Sequence, residues 1–147
     1  MGAKRSFTGI IMTVWTLFSM VVIPLYTLSL LERGIDFQGQ LLRIYVWGLD
    51  VGIITLLGII AMILTALSYA FGGKADAALT FIKYSIVAFY EWVWAQGIKE
   101  LRVIVGDITV NVGMYLDPWI MLVIVGSLLT GLIKAIYKYL EAKEKEE

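Results

Sequence analysis

The sequence predicts an all-α integral membrane protein with four transmembrane helices, both termini cytoplasmic, and a small outer β-hairpin-like segment between helices three and four. Three observations lead there. Apolar residues make up 60% of the 147-residue chain and its mean hydropathy is +0.84, whereas soluble domains sit at about 45–50% apolar. Uncharged runs recur at lengths that can cross the hydrocarbon core. Basic residues and tryptophans then sort to opposite ends of those runs, as the positive-inside rule and the aromatic belt require.

The first span, residues 7–31, lies in a run without charge from Ser6 to Leu31 that follows Lys4 and Arg5. Its apolar part is too long for the h-region of a secretory leader, and no small-residue cleavage pattern follows. Pro24 interrupts it. A proline there removes one backbone donor and crowds the carbonyl of Met20, so a kink is expected. The second span, 47–71, is uncharged from Val51 to Phe71. Asp50 stands near its N-terminus, where the helix dipole favours a carboxylate. "GGKAD" at 72–76 is a short glycine turn, which makes the flanking helices antiparallel neighbours.

The third span, 77–96, contains "FIKYSIVAFYEWVWAQG" and with it Lys83 and Glu91. At 1.5 Å per residue, Lys83 lies about 9 Å from one end and Glu91 about 7 Å from the other. A lysine snorkels that far, and Glu91 is set among Tyr90, Trp92 and Trp94, residue types that populate membrane interfaces. The two charges are about 12 Å apart along the axis and cannot pair within one helix. Lys83, Glu91 and Asp50 form a candidate polar path, with Thr80, Tyr84 and Asp76 on roughly the same face of the third span, against which snorkelling and interface anchoring are the preferred reading. The fourth span, 118–138, opens with Asp117 as N-cap and Pro118 at the first helical position. Lys134 and Lys138 lead into a charged cytoplasmic tail, 139–147, whose charge spacing suits a continuing helix.

The outer segment, 97–117, is rich in β-branched residues between Val103 and Val112, with Gly106-Asp107 as a two-residue turn. Leu101, Ile104, Val105 and Ile108 also fit helical spacing; the hairpin is preferred, and its free edges invite pairing with a neighbouring subunit. Within it, "ITVNVGMYLDP" resembles the potassium-channel filter loop at Thr109, Val110 and Gly113. Asn111 and Val112 depart from that pattern, where a filter has glycine and tyrosine.

Four spans place Lys4, Arg5, Lys74, Lys83, Lys134, Lys138, Lys143 and Lys145 on the side of the termini and Arg33, Arg43, Lys99 and Arg102 on the other. Eight against four makes the termini cytoplasmic. The same topology collects Trp47, Trp92, Trp94 and Trp119 into one outer interface belt, leaving Trp15 elsewhere.

Composition also excludes. Twelve basic and twelve acidic residues give no net charge, so nucleic acid is not an expected partner. With no Cys and no His, thiolate chemistry, imidazole triads and Cys/His zinc sites are ruled out, and neither cofactor nor metal is expected. "FGGK" lacks the glycine and hydroxyl of a phosphate loop. A single Asn and three Gln, with a Lys/Glu-rich tail, lean towards a thermophilic source, although membrane burial also depletes amides. Small residues at four-residue spacing, Gly48 and Gly52 in one helix and Ser127, Gly131 and Ala135 in another, form ridges for close helix packing within or between subunits. The function expected is that of a non-enzymatic, self-associating multi-pass subunit of the cell membrane, forming a scaffold, pore or filament-like assembly with the lipid bilayer and further copies as partners. The alternatives are an accessory subunit of a larger transport, secretion or respiratory complex, and a small ion channel or transporter using the Lys83/Glu91 face.

Overall fold

The computed structural model describes residues 3–46 and 48–146. Four long helices, α1 (Ala3–Arg33), α2 (Val51–Phe71), α3 (Gly73–Ile98) and α4 (Asp117–Glu146), carry an antiparallel sheet at one end. They pack in chain order, α1 on α2, α2 on α3 and α3 on α4. α1, α2 and α4 are long and apolar enough to cross a membrane. α3 has the length but is more polar, and it is the helix packed on both sides, against α2 and α4.

Local chemistry sets the helix ends. Asp50 caps α2, its Oδ1 accepting from the Ile53 amide at 3.2 Å, which satisfies one of the orphan donors of a first turn. α2 stops at Gly72, and Gly72 and Gly73 both take positive φ, 68° and 61°, a conformation open to glycine. The two-glycine reversal is what sets α3 antiparallel against α2. Asp117 begins α4 with its carboxylate 2.7 Å from Lys99 Nζ, joining the sheet-side ends of α3 and α4. α4 then runs unbroken into the charged tail.

The disturbance expected at Pro24 takes the form of a π-helical turn, Phe18–Val22, directly before it. Pro24 has no N–H to offer the Met20 carbonyl. Tyr90 of α3 supplies the missing donor, its hydroxyl reaching Met20 O at 2.6 Å. Around this point lies the apolar core of Ile54, Leu57, Tyr90 and Val93, with Met20, Leu49, Ile86 and Trp94 packed against it.

The outer segment is larger than the single hairpin that the sequence predicts. β1 (Ile35–Phe37), β2 (Gln40–Val46), β3 (Glu100–Val105) and β4 (Ile108–Gly113) form one sheet in the order β1-β2-β3-β4, every pair antiparallel. The expected turn at Gly106-Asp107 is present, with Gly106 at φ 59°. The other hairpin turns at Gln38-Gly39, both at positive φ, 52° and 80°, the arrangement that matches strand twist. An all-α description therefore needs correction: a small sheet built from the α1–α2 and α3–α4 connections completes a mostly helical fold.

Candidate functional site

Three features of the described residues carry chemistry beyond packing, one at the termini end, one within α3 and α4, and one on the sheet.

At the termini end Asp76, buried in the first turn of α3, is a hub. Its carboxylate takes Lys138 Nζ of α4 at 2.8 Å, Arg5 Nη2 of α1 at 3.4 Å, Thr80 Oγ1 at 3.2 Å and the hydroxyl of Ser68. Lys138 also donates to Thr80 Oγ1 at 2.8 Å. One side chain thus ties all four helices together. Burial pushes the Asp76 carboxyl up, but the bonds from Lys138, Ser68 and Thr80 outweigh it, so its pKa lies below the usual carboxylate value. Two helix turns further along, a cleft of about 480 Å³ opens between the helices, lined on one side by Met12, Thr65 and Tyr69 and on the other by Lys83, Tyr84, Lys134 and Tyr137. Lys134 Nζ donates to Tyr84 Oη at 2.6 Å. Lys83 Nζ stands 6.0 Å from the Tyr84 ring centre and has no carboxylate partner among the described residues.

Towards the sheet end Glu91 receives the hydroxyl of Ser127, at 2.8 Å to each carboxylate oxygen. It borders an apolar groove of about 340 Å³ that includes Tyr90, Trp94, Trp119 and Ile124. Lys83 and Glu91 therefore line different cavities, with no lining residue in common. Asp50 belongs to neither and holds the α2 cap.

The ridge on α4 faces α3. Gly131 is buried, and a Cβ there would run into Tyr84, while Ser127 is the Glu91 donor one turn away. Ala135 is half-buried on the same helix. Gly48 lies in the turn before α2 and not on that helix with Gly52, so the two do not form one ridge; it lies near the backbone of Gln96 and Gly97, whereas nothing beyond its own cap residue, Asp50, approaches Gly52. Among the other helical glycines, close approaches involve Gly9 against Tyr69, Gly58 against Val21 and Gly97 against Leu49. These three glycines are not spaced as one ridge, so sequence spacing alone does not single them out. Trp92 and Trp119 are exposed and Trp94 half-buried, all in the sheet-side halves of their helices; Trp47 lies outside the described residues.

The third feature lies on the sheet. Paired residues in adjacent strands project from the same face. The register aligns Leu42–Val105–Ile108, Ile44–Val103–Val110 and Val46–Leu101–Val112 in three cross-strand rows, and Ile35 extends the first. One face is thus an aliphatic grid, with Phe37 and Gln40 at its corner. The opposite face carries Asp36, Arg43, Tyr45, Arg102, Thr109 and Asn111, with Leu41 and Ile104 between them. No residue of any strand is buried. Among the described residues the grid is half-buried along β2 and β3 and exposed along β4 and at Ile35 and Phe37, and no other strand or helix forms a second layer over it.

Comparison with protein-family models, with curated proteins and with solved structures finds no match to this chain.

Proposed function

We propose that this chain is a non-enzymatic, self-associating subunit of the cell membrane, inserted by four helices with both termini cytoplasmic, whose copies stack through the apolar faces of their outer sheets. The observation that carries this reading is the uncovered aliphatic grid. A sheet with one apolar and one polar face is stable in water when the apolar face is packed. Here the described residues supply no second layer for that face.

The composition of the grid favours a second copy over the membrane surface. Faces that rest on headgroups carry tryptophan, tyrosine and basic side chains. On this sheet Tyr45, Arg43 and Arg102 are on the other face, and the grid is mostly β-branched and wholly aliphatic in its three rows, like the inner face of a β-sandwich. Size sets a further condition. Four strands at about 4.8 Å and six residues at about 3.3 Å give on the order of 400 Å² per copy. Two such faces fall short of the roughly 1,200–2,000 Å² of a stable complex, so helix contacts must add to the interface. α1 and α4, the outer helices of the row, have only 17% and 6% of their apolar windows buried and offer that surface.

Orientation follows from charge. Eight basic residues belong to the termini end and four to the sheet end, which points the sheet outward. Extraction of the full chain with its native lipids, followed by mass measurement, tests the assembly. A homo-oligomer is expected. A stoichiometric foreign subunit would transfer the grid to a larger complex, and a lone monomer would contradict self-association.

A further inference from the structure

The cleft at the termini end has an excess of positive charge that the described residues leave unanswered. Arg5 and Lys138 share one carboxylate, that of Asp76. Lys134 is held by a phenol, the neutral Tyr84 hydroxyl. Lys83, half-buried on the cleft wall, has an aromatic ring beside it and no acidic partner among the described residues. Of the nearby tail carboxylates, Glu141 pairs with Lys145 and Glu146 with Lys74. Two cations thus share the Asp76 carboxylate, and the two further along the cleft, Lys83 and Lys134, have no carboxylate partner among the described residues. Holding ammonium groups away from water without a counter-charge is costly, and the cost is greater if lipid rather than water lies outside.

We propose that this cleft binds a phosphate group: the phosphate of an anionic glycerophospholipid or of a soluble phosphate ester. A phosphate presents several charged oxygens at once, so it can take hydrogen bonds from Lys83 and Lys134 together, with the Tyr137 hydroxyl as a further donor. The volume, about 480 Å³, accommodates a multi-atom headgroup. The wall is mixed in a way that suits a lipid, with ammonium groups on α3 and α4 and the apolar side chain of Met12 on α1. Its depth is also suitable. The cleft lies beside the last two turns of α2, Thr65 to Tyr69, next to the glycine reversal, which is where a basic pocket meets headgroups on the cytoplasmic side. The inference rests on the membrane reading of the chain.

The full chain in phosphatidylcholine nanodiscs containing a minor fraction of phosphatidylglycerol provides the test, with native mass spectrometry counting the lipids that remain bound. The wild-type chain retains phosphatidylglycerol in preference to phosphatidylcholine. Lys83→Met and Lys134→Met each lower that retention by about tenfold, the scale of one charge-assisted hydrogen bond, while Lys83→Arg restores it and Lys143→Met in the tail leaves it unchanged. Added glycerol 3-phosphate or inorganic phosphate separates the sources. Displacement of the bound lipid marks a site for soluble phosphates, and resistance marks a lipid site. Equal retention of the two lipids by the wild type, or unchanged selectivity in both methionine variants, overturns the proposal. Resistance of the native protein to alkaline carbonate extraction reports membrane insertion independently, so a failure of that reading is seen separately.

Discussion

At the scale of residues, two side chains hold the helices in place through bonds that sequence proximity does not suggest. Pro24 is readable as a helix disturbance, and the carbonyl it frees is readable as Met20. Its donor, Tyr90, is 70 residues away, and nothing in its own surroundings marks it as anything but an interfacial aromatic. Tyr90→Phe should lower stability by about 1 kcal/mol, because the ring still packs while a buried carbonyl loses its partner; denaturant titration of the detergent-solubilised chain measures it. Asp76 was legible as a turn residue sharing a helix face with Thr80 and Tyr84, but not as a hub, since Arg5, Ser68 and Lys138 come from three other helices. Its folded pKa lies below its ordinary value near 3.8, so the stability it contributes is present above that value and lost as pH falls through the folded one. Thermal melts should therefore be flat from neutral pH to about 5 and drop in more acid solution. Asp76→Asn, by removing the charge shared by Arg5 and Lys138, should lower the neutral-pH melting temperature and flatten the acid limb.

At the scale of elements, legibility followed the strength of local pattern. The hairpin of β3 and β4 could be read because β-branched residues flank a glycine-first turn. The hairpin of β1 and β2 was harder to see. β1 has three residues, and Leu41 and Tyr45 break the alternation of Leu42, Ile44 and Val46 by placing apolar groups on the polar face. Its turn does carry a signal in Gln38-Gly39. Gly39 has open space where a Cβ would lie but sits at φ 80°, so Gly39→Val meets backbone strain and no clash. That substitution should cost roughly 1–2 kcal/mol and reduce hydrogen-exchange protection in β1 and β2 more than in β4. The α4 ridge could be read as a packing surface, but its spacing left packing within the chain and packing between subunits equally open. Gly131 meets Tyr84 across α3, and Gly131→Ala should destabilise the α3–α4 pair by roughly 1–3 kcal/mol as the helices are forced apart, seen as a lower denaturant midpoint.

At the scale of the whole molecule, the helices form a row in chain order, the basic residues gather at the termini end, and the sheet stands at the other. Helix number and the short reversal at Gly72 and Gly73 were readable from charge-free runs and glycines. The joining of the two outer connections into one sheet was not, because β2 and β3 meet only once α2 and α3 have brought their ends together. That union creates the aliphatic grid, and the grid is the basis for self-association. The chain has no cysteine, so a single introduced thiol reports one position. Val103 lies at the centre of the grid and Ile104 on the opposite face. Stacked sheets lie about 10 Å apart, within reach of a short bismaleimide cross-linker. In native membranes Val103→Cys should yield a cross-linked dimer and Ile104→Cys should not; equal cross-linking of both, or of neither, would contradict stacking through the apolar face.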